Sequence, residues 1–467
     1  MKTRTDIALV AHLMRRAGFG ATRAELEQLA EKPYEDIVED LLHPERRPEV
    51  DEHLLFRYHP TTASYGDGGH AQTHWLYRMV MTQRPLEEKI ALFWHYVFAT
   101  GNAKVENGPA MGRQIEGFRK HGLGNYRDLL VRLAQDPAMI YWLDNNHNHK
   151  RAPNENWGRE LLELFAMGAG NYTEKDVYEC ARAFTGWNII ARIGVPWGTY
   201  PWKFVYKPED HDFTQKTFLG HTGEFNGEDI IDIVVRQPAT SQFIARHLYN
   251  FFVADEPQVP AWPIEPPRDP EAVRFIRETF VDSGYEMKPV LRAIFNSDFF
   301  KQAMYEKVKS PVDLVVGTLR LTGDMNGPDP RWGEMPRDMS PMGQNVMDPP
   351  SVEGWHTGRE WINSGAQLLR VNFTSYRFAD TSLPGVQDMI SRVASTAGET
   401  MTAEVLVGRC LELAGPVKAA GATRAELVGH VRNEGPVSWA PDDYDRSARR
   451  VAELLALIGA SREFQMG

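Results

Sequence analysis

The sequence predicts a mainly α-helical protein: a large multi-helix domain with long ordered loops and one small β-hairpin near residues 197–220. Apolar residues recur at helical spacing along most of the 467 residues, and capping residues stand before many of these runs. Residues 197–206 differ, because they are rich in aromatic and β-branched residues bounded by Pro and Gly, the pattern of a short hairpin. We therefore expect helices to form both the core and any functional site.

The composition is that of a folded globular protein, with 42% hydrophobic and 25% charged residues. The net charge of −11 argues against a nucleic-acid-binding surface, because contacts to phosphates need clustered Lys and Arg. No apolar stretch reaches the roughly 18 residues of a membrane-spanning helix, and the N-terminus has no apolar signal core. We expect a protein that is cytoplasmic as given, or the processed form of an exported one.

Cys180 and Cys410 are the two cysteines of the chain, too few for a disulfide framework or a cysteine-based zinc site. A single bridge between them stays open, although a small buried thiol is the commoner role for a cysteine inside a helix. The sequence lacks the Walker, Rossmann, G-x-S-x-G and H-E-x-x-H patterns. It therefore indicates no nucleotide cofactor and no nucleophilic serine.

Three parts follow one another along the chain, and we expect them to pack as one unit. Residues 1–190 form an N-terminal helical part, 191–222 a β-hairpin insertion, and 223–467 a C-terminal helical part. The last part contains a long stretch, 323–363, that is rich in Pro, Gly, Met and Trp. A loop of this length in a compact protein is usually functional or covers a site.

Two arginines near the N-terminus, Arg15 and Arg16, precede a glycine-containing turn. The turn leads to Thr22, which with Glu25 has the spacing of a capping box and predicts a helix start. Arginines beside such a turn can hold an anion. They can also make structural bonds to a helix C-terminus or to an acidic face, and the sequence leaves both roles open.

Three histidines are candidates for a metal-binding or catalytic role, and their sequence contexts differ. His70 and His74 have the i,i+4 spacing of two metal ligands on one helix, but no third ligand lies nearby in the sequence. His95 lies in the predicted helix 85–100 among apolar residues on every side, so we expect it to be buried. It is then either a neutral core histidine with one hydrogen bond or a ligand or acid–base group.

The richest stretch is 153–187, PNENWGRELLELFAMGAGNYTEKDVYECARAFTGW. It predicts two short helices joined by a glycine turn. Asn154 or Asn156 can cap the first helix, because an Asn side chain accepts the free N–H groups of the first turn. Thr173 and Asp176 resemble a capping box at the start of the second.

Two interpretations of the first of these helices stay open. Arg159, Glu160 and Glu163 share one arc of the helical wheel, and apolar residues fill the opposite side. A surface helix has this pattern too, with Arg159 and Glu163 as a local i,i+4 ion pair. The alternative is a polar cluster that lines a functional cavity.

Two loops add further candidates. The triplet Asp210-His211-Asp212 can bind a divalent cation, or it can be an Asx turn with a paired histidine. In the long loop, Trp355 and Trp361 can form an aromatic wall for a ligand such as a sugar, or they can pack the loop onto the helices.

The stretch 153–187 resembles the signature of the bacterial family called domain of unknown function 1800. That signature runs N-E-N-x-x-R-E-L-x-E-L-x-x-x-G and then Y-T-x-x-D-V-x-E-x-A-R-x-x-T-G-W. Further elements match along nearly the whole chain: H-L-x-R-R at 12–16, F-W-H at 93–95, H-D before K-x-F-L-G at 211–220, and P-P-x-V-x-G-W at 349–355. The family has no established activity. The resemblance implies that members often carry export signals and that their genes often lie beside genes for sulfatase-like proteins, which suggests a partner of that kind.

The leading hypothesis is an enzyme of hydrolytic or oxidative chemistry, with an unidentified substrate and a polar, carboxylate-rich cavity that can hold a divalent metal. The candidate catalytic residues are Glu160, Glu163, His95, Arg159 and Arg182. The candidate substrate-binding residues are Asn154, Asn156, Trp187 and Trp355. The candidate metal ligands are Glu160, Glu163, His95, His211 and Asp212, a set that suits iron, manganese, zinc or calcium without choosing among them. The competing hypothesis is a non-catalytic binding or assembly protein, in which the same clusters are buried structural networks.

Overall fold

A computed structural model of the chain describes residues 5–60, 68–190, 202–396, 400–435 and 437–467. The described residues are mainly helical, which confirms the predicted fold class. Their α-helices are Ile7–Arg16, Arg23–Leu29, Tyr34–Leu42, His53–Tyr58, Gly68–Met81, Pro85–Val97, Asn102–Val105, Gly108–His121, Tyr126–Ala134, Pro137–Trp142, Asn156–Glu160, Glu174–Ala183, Gly227–Val235, Pro238–Phe252, Pro270–Asp282, Met287–Asn296, Asp298–Gln302, Pro311–Thr322, Met335–Met339, Ser364–Ala379, Pro384–Thr396, Ala403–Leu413, Gly421–Asn433 and Tyr444–Ala460. Short 3₁₀ turns connect several of them.

The strands are more numerous than the single hairpin that the sequence predicts. The described residues contain three two-stranded antiparallel sheets. Their strand pairs are Trp187–Ile190 with Lys203–Tyr206, Lys216–Phe218 with His221–Gly223, and Thr400–Met401 with Val437–Ser438. The predicted strand near 197–206 is in part correct, since Lys203–Tyr206 is extended, whereas residues 197–201 lie outside the described ranges.

The first strand follows directly from the signature stretch. Gly186 turns the chain out of the preceding helix with a φ of +80°, and a β-carbon there would lie 2.6 Å from the Lys207 carbonyl oxygen. Glycine meets both demands, because it has no side chain and accepts a left-handed conformation. Trp187 can therefore enter a strand opposite Tyr206.

The apolar core has two parts. A large cluster extends from Val10 to Phe373 and so includes side chains from before and after the β-rich segment. A smaller cluster gathers side chains of the last helices, and Phe378 packs edge-on against Phe464 within it, with ring centroids 5.5 Å apart. The division of the chain at residues 190 and 223 remains a prediction.

Two further expectations concern single features. Cys180 and Cys410 are both buried free thiols, so the bridge that the sequence left open is not formed. Of the helices in the described ranges, none is long and apolar enough to cross a membrane.

Candidate functional site

The signature helix changes its winding in the middle. It begins as the α-helix Asn156–Glu160 and continues as the π-helix Leu161–Ala166, in which the Met167 N–H donates to the Leu162 carbonyl at 2.9 Å. The segment buries Leu161 and Leu162 completely. A π-helical turn is rare and occurs frequently at functional sites, because it displaces the side chains of one turn from α-helical positions.

Two carboxylates lie at this change of winding. Burial raises the pKa of Glu160 to about 7, and the negative charges of Glu163 and Glu353 add to the shift while Arg159 opposes it. Glu163 accepts a hydrogen bond from the Tyr172 hydroxyl at 2.6 Å. The neighbouring carboxylates therefore differ in environment, the usual condition for two carboxyl groups to take different roles.

Glu353 comes from the loop that contains the second signature element. A β-carbon at Gly354 would lie 2.7 Å from the carbonyl oxygen of Tyr96, so the loop sits directly on the C-terminal end of the helix Pro85–Val97. This close approach places the exposed carboxylate of Glu353 beside Glu160. The two sequence elements, far apart along the chain, thus meet at one place.

Glu163 and Glu353 both border an open cleft of about 450 Å³. The cleft lies against the helix Pro238–Phe252 and the proline-rich loop 257–267. Ligand sites for small molecules generally have volumes of ≈ 300–1,000 Å³ and walls that are mostly apolar with a few polar groups. The cleft has this size and this composition.

One wall of the cleft is aromatic. The rings of Phe243 and Trp262 meet edge to face, with centroids 5.4 Å apart. Ile264, at the rim, is 85% exposed. The wall therefore offers a ring-sized apolar surface beside the carboxylates.

Arg246 fixes the loop that carries Trp262. It is 4% exposed, and its Nε donates to Glu256 Oε2 at 2.7 Å. Its two Nη atoms donate to the carbonyl oxygens of Glu265 and Pro266 at 2.8 and 3.1 Å, and its Cζ atom lies 4.6 Å from the Trp262 ring centroid. A paired and fully hydrogen-bonded guanidinium can hold an irregular loop in one conformation.

A buried histidine supports the wall from behind. Both ring nitrogens of His247 are buried and have no hydrogen-bond partner among the described residues, and the ring packs against Phe243 and Trp262 with centroid distances of 4.5 and 4.6 Å. Burial, together with the charge of Arg246, lowers the pKa of His247 to about 3. The histidine is therefore neutral and packs as an aromatic ring.

The comparison with known proteins gives a family without a described activity. The family model described as "Protein of unknown function (DUF1800)" matches residues 12–466. The chain belongs to the DUF1800 family. No curated protein and no solved structure matches it. The matched range includes both signature elements and every residue that borders the cleft.

Of the two predicted catalytic carboxylates of this DUF1800 protein, Glu163 borders the cleft and Glu160 lies close to Glu163, whereas the arginines have other partners. Arg159 forms two hydrogen bonds with Glu174, at 2.8 and 2.6 Å, so the expected i,i+4 pair with Glu163 is not formed. The glycine turn brings the second helix back alongside the first, and Glu174 lies at its start. Arg182 donates to Asp212 at 2.8 Å and to Glu179 at 2.6 Å.

His95 lies in the core. It is 0% exposed, its Nε2 accepts the Met347 N–H at 2.9 Å, and its ring packs edge-on between Trp75 and Trp355. Burial lowers the pKa of His95 to about 3. Of the two roles left open, the structure shows the neutral core histidine with one hydrogen bond.

A substitution tests this placement. His95→Phe removes the acceptor of the buried Met347 N–H, and we expect it to lower the free energy of unfolding by about 1–3 kcal/mol. Urea unfolding followed by circular dichroism measures the change. His356→Phe, at a half-exposed histidine, is the control and should change stability by less than about 0.5 kcal/mol. Equal stability of His95→Phe and the native protein would contradict the core role.

The predicted substrate-binding residues lie around the signature but have structural partners. The N-cap of the helix is Glu155, without a side-chain cap hydrogen bond, so the predicted cap at Asn154 or Asn156 is wrong. Asn154 instead accepts the Asn156 N–H at 3.0 Å in a local turn, and Asn156 donates to Asp144 at 3.4 Å. Trp187 is buried and donates to Asn226 at 2.8 Å, and Trp355 is buried against His95. None of these four side chains is among the groups that border the cleft in the described structure.

The five predicted metal ligands have different surroundings. Glu163 borders the cleft, Glu160 lies three residues before it, and His95 lies in the core. The His211 ring bonds to the Thr185 carbonyl at 2.8 Å, and Asp212 accepts from Arg182. Within the described ranges, no three or more His, Cys, Asp or Glu side chains form a group that could hold a metal ion.

Several residues of the cleft are not evident from the sequence. They are Phe243, Arg246, Trp262 and Glu353, to which Tyr172 is added as the hydrogen-bond donor to Glu163. Two signals point toward them: an arginine inside an otherwise apolar helix needs a partner when buried, and a tryptophan in a proline-rich loop needs an anchor. Glu353 stands two residues before the tryptophan of the second signature element.

Proposed function

We propose that the cleft is the active site of an enzyme and that Glu160 is its acid–base group. One observation carries the proposal: a partly buried carboxyl group, beside a second carboxylate at the mouth of a ligand-sized cleft, has its pKa raised to about 7. Acid–base groups are most effective when their pKa lies near the working pH. Perturbed pKa values in a cleft are typical of functional sites.

The surroundings favour hydrolytic chemistry. Near neutral pH Glu160 exists in both protonation states, so it can donate a proton to a leaving group and later accept one from water. Glu163, which the Tyr172 hydroxyl orients, would stabilise positive charge that develops on the substrate. The Phe243–Trp262 wall would bind an apolar or sugar-ring face of the same molecule.

A divalent metal remains a prediction. It would bind through Glu163, which borders the cleft, and the neighbouring Glu160, because carboxylate oxygens suit hard cations. Elemental analysis of the purified, untagged protein tests this directly. Stoichiometric metal that is lost in Glu160→Gln would place it at the cleft.

The substrate can be found without knowing its name. The purified protein is incubated with an extract of small metabolites and soluble oligosaccharides, and mass spectrometry identifies the compounds that disappear. Glu160→Gln should slow that loss at least ~10²-fold, because a side-chain amide does not titrate near neutral pH and cannot act as a general acid or base. Glu116→Gln, at a half-exposed carboxylate paired with Lys120, is the matched control and should act like the native protein.

The outcomes separate the proposed enzyme from its alternative. A compound consumed by the native protein and Glu116→Gln but spared by Glu160→Gln supports the proposal. A compound that the native protein and Glu160→Gln both bind but do not consume would indicate a binding site without catalysis. That result would favour the non-catalytic role, for which a sulfatase-like partner stays a prediction.

A further inference from the structure

A second cavity lies beside the N-terminal helix Ile7–Arg16. It has a volume of about 40 Å³, several times the ≈ 10–15 Å³ that one water needs. Among its walls are apolar side chains such as Phe19 and Phe251, one acidic side chain, Asp313, and the last residue of the sequence, Gly467. Five basic side chains also line it: Arg15, Arg16, Lys89, Lys307 and Lys309.

Two of the five basic groups are neutralised by carboxylates. Lys89 pairs with Asp313. Lys307 pairs with Asp255 at 2.9 Å and also donates to the Asn250 carbonyl at 2.8 Å. The charges of Asp255, Asp313 and Glu306 also act on Arg16, but among the described residues no carboxylate forms an ion pair with Arg15, Arg16 or Lys309.

The remaining cations have neutral partners. Arg15 Nη1 donates to the Gly415 carbonyl at 2.9 Å. Lys309 Nζ donates to the Phe464 carbonyl at 2.7 Å and lies 4.0 Å from the ring centroid of the same residue. Nearby, the buried Arg370 adds a further positive charge and donates to the Lys309 carbonyl at 2.8 Å. These carbonyl contacts supply dipoles, not the opposite charge that buried cations need.

Hydrogen-bonding capacity is also unused. Arg16 is 4% exposed, and its Nε and Nη2 atoms are buried without a partner among the described residues. The Nε and Nη2 atoms of Arg15 are likewise buried and have no hydrogen-bond partner among the described residues. Buried guanidinium donors that lack acceptors are destabilising, so an anion that accepts from these atoms would stabilise the arrangement.

We propose that this cavity binds a small oxyanion, a phosphate or a carboxylate, through the guanidinium groups of Arg15 and Arg16. The planar fork of N–H donors in arginine matches two oxygens of such an anion. The bound anion also connects the first helix to residues of the C-terminal part, because Gly415 and Phe464 line the same cavity. The anion would therefore stabilise the contact between the smaller and the larger apolar cluster, independently of the cleft that Glu163 borders.

The first test uses the native protein alone. After extensive desalting, the protein is denatured and the released anions are measured by ion chromatography. One equivalent of phosphate or of an organic acid supports the site. In parallel, the melting temperature (Tm) is measured with inorganic phosphate, sulfate or acetate at constant ionic strength, and a saturable rise with one of them identifies the preferred anion.

Variants then locate the anion. Arg16→Met removes the buried charge while filling its space, so we expect it to fold, to release no anion and to lose the Tm rise. Arg16→Lys keeps the charge but loses the fork, and its apparent Kd should be at least ~tenfold weaker. Arg132→Met removes the same charge from an exposed position and should retain the full Tm rise.

Two results would overturn the proposal. One is a native protein that releases no anion and gains no Tm with any of the three added anions. The other is an anion-dependent Tm rise that is the same size in Arg16→Met as in the native protein, because the ion would then bind elsewhere.

Discussion

Glu160→Gln is expected to stabilise the protein at pH 8 and to leave its stability nearly unchanged at pH 5. The folded protein raises the pKa of Glu160 from 4.5 to about 7, chiefly by burial and by the nearby charges of Glu163 and Glu353. Glutamine resembles the protonated carboxyl group in shape and stays uncharged at every pH. The substitution therefore removes a penalty that exists only when Glu160 is ionised.

The direction of the pH dependence follows from proton binding. Between pH 4.5 and 7 the folded state retains a proton on Glu160 that the unfolded state has lost. Stability of the native protein therefore falls as pH rises through this window, and the full penalty remains above pH 7. One unit of pKa shift corresponds to about 1.4 kcal/mol, but Glu160 is partly solvated, so we expect a difference of about 1–2 kcal/mol.

Urea unfolding of the native protein and of Glu160→Gln at pH 5, 6, 7 and 8 measures the difference. Glu116→Gln is the control, and its stability should follow that of the native protein at each pH. A Glu160→Gln variant that is less stable than the native protein at pH 8 would mean that the ionised carboxylate is favoured in the fold. That result would contradict the proposed role of Glu160 as an acid–base group.

Local features of the fold could be predicted from the sequence. The capping boxes at Thr22 with Glu25 and at Thr173 with Asp176 are both present, with the reciprocal hydrogen bonds that their spacing implies. Such caps depend on residues three positions apart, so a single sequence contains all the information. The burial of His95 was predictable for the same reason, since its helical neighbours are apolar.

Contacts between distant residues could not be predicted in this way. The acceptor role of His95 depends on the Met347 N–H, and the raised pKa of Glu160 depends in part on Glu353. Both partners come from a loop whose path no local pattern specifies. A family signature can mark both segments, but it does not say that they meet.

The π-helical turn explains another failure. A helical wheel assumes about 100° per residue throughout, and on that basis Arg159 and Glu163 are neighbours. The π-helix Leu161–Ala166 changes this spacing, and Arg159 pairs with Glu174 while Glu163 turns to Tyr172. The wheel identified the polar face correctly but assigned the wrong partners within it.

Glu88→Gln is expected to cost about 3–5 kcal/mol, far more than a substitution at the surface. Glu88 is 0% exposed and accepts from Arg119 Nε at 2.8 Å, Arg78 Nε at 2.9 Å and Trp75 Nε1 at 3.0 Å. Glutamine removes the negative charge that two largely buried arginines share. Arg78 keeps its second carboxylate, Glu52, so the charge left without compensation is that of Arg119.

This dependence predicts a partial recovery. Adding Arg119→Met to Glu88→Gln removes the orphaned cation, and the double variant should be more stable than Glu88→Gln alone. Urea unfolding of both single variants and the double variant forms a thermodynamic cycle, with Glu116→Gln, at a half-exposed carboxylate, as the control. A cost for Glu88→Gln below about 1 kcal/mol would show that the network contributes little.

The same network connects the core to the proposed active site. Glu88 joins the helix Pro85–Val97 to both neighbouring helices, and Gly354 rests on the Tyr96 carbonyl in the last turn of that helix. Glu353 precedes that glycine, and its negative charge makes the smallest contribution to the raised pKa of Glu160. A helix shift in Glu88→Gln should therefore change the pH dependence of stability that Glu160 causes only slightly. Glu116→Gln should leave that dependence as it is in the native protein.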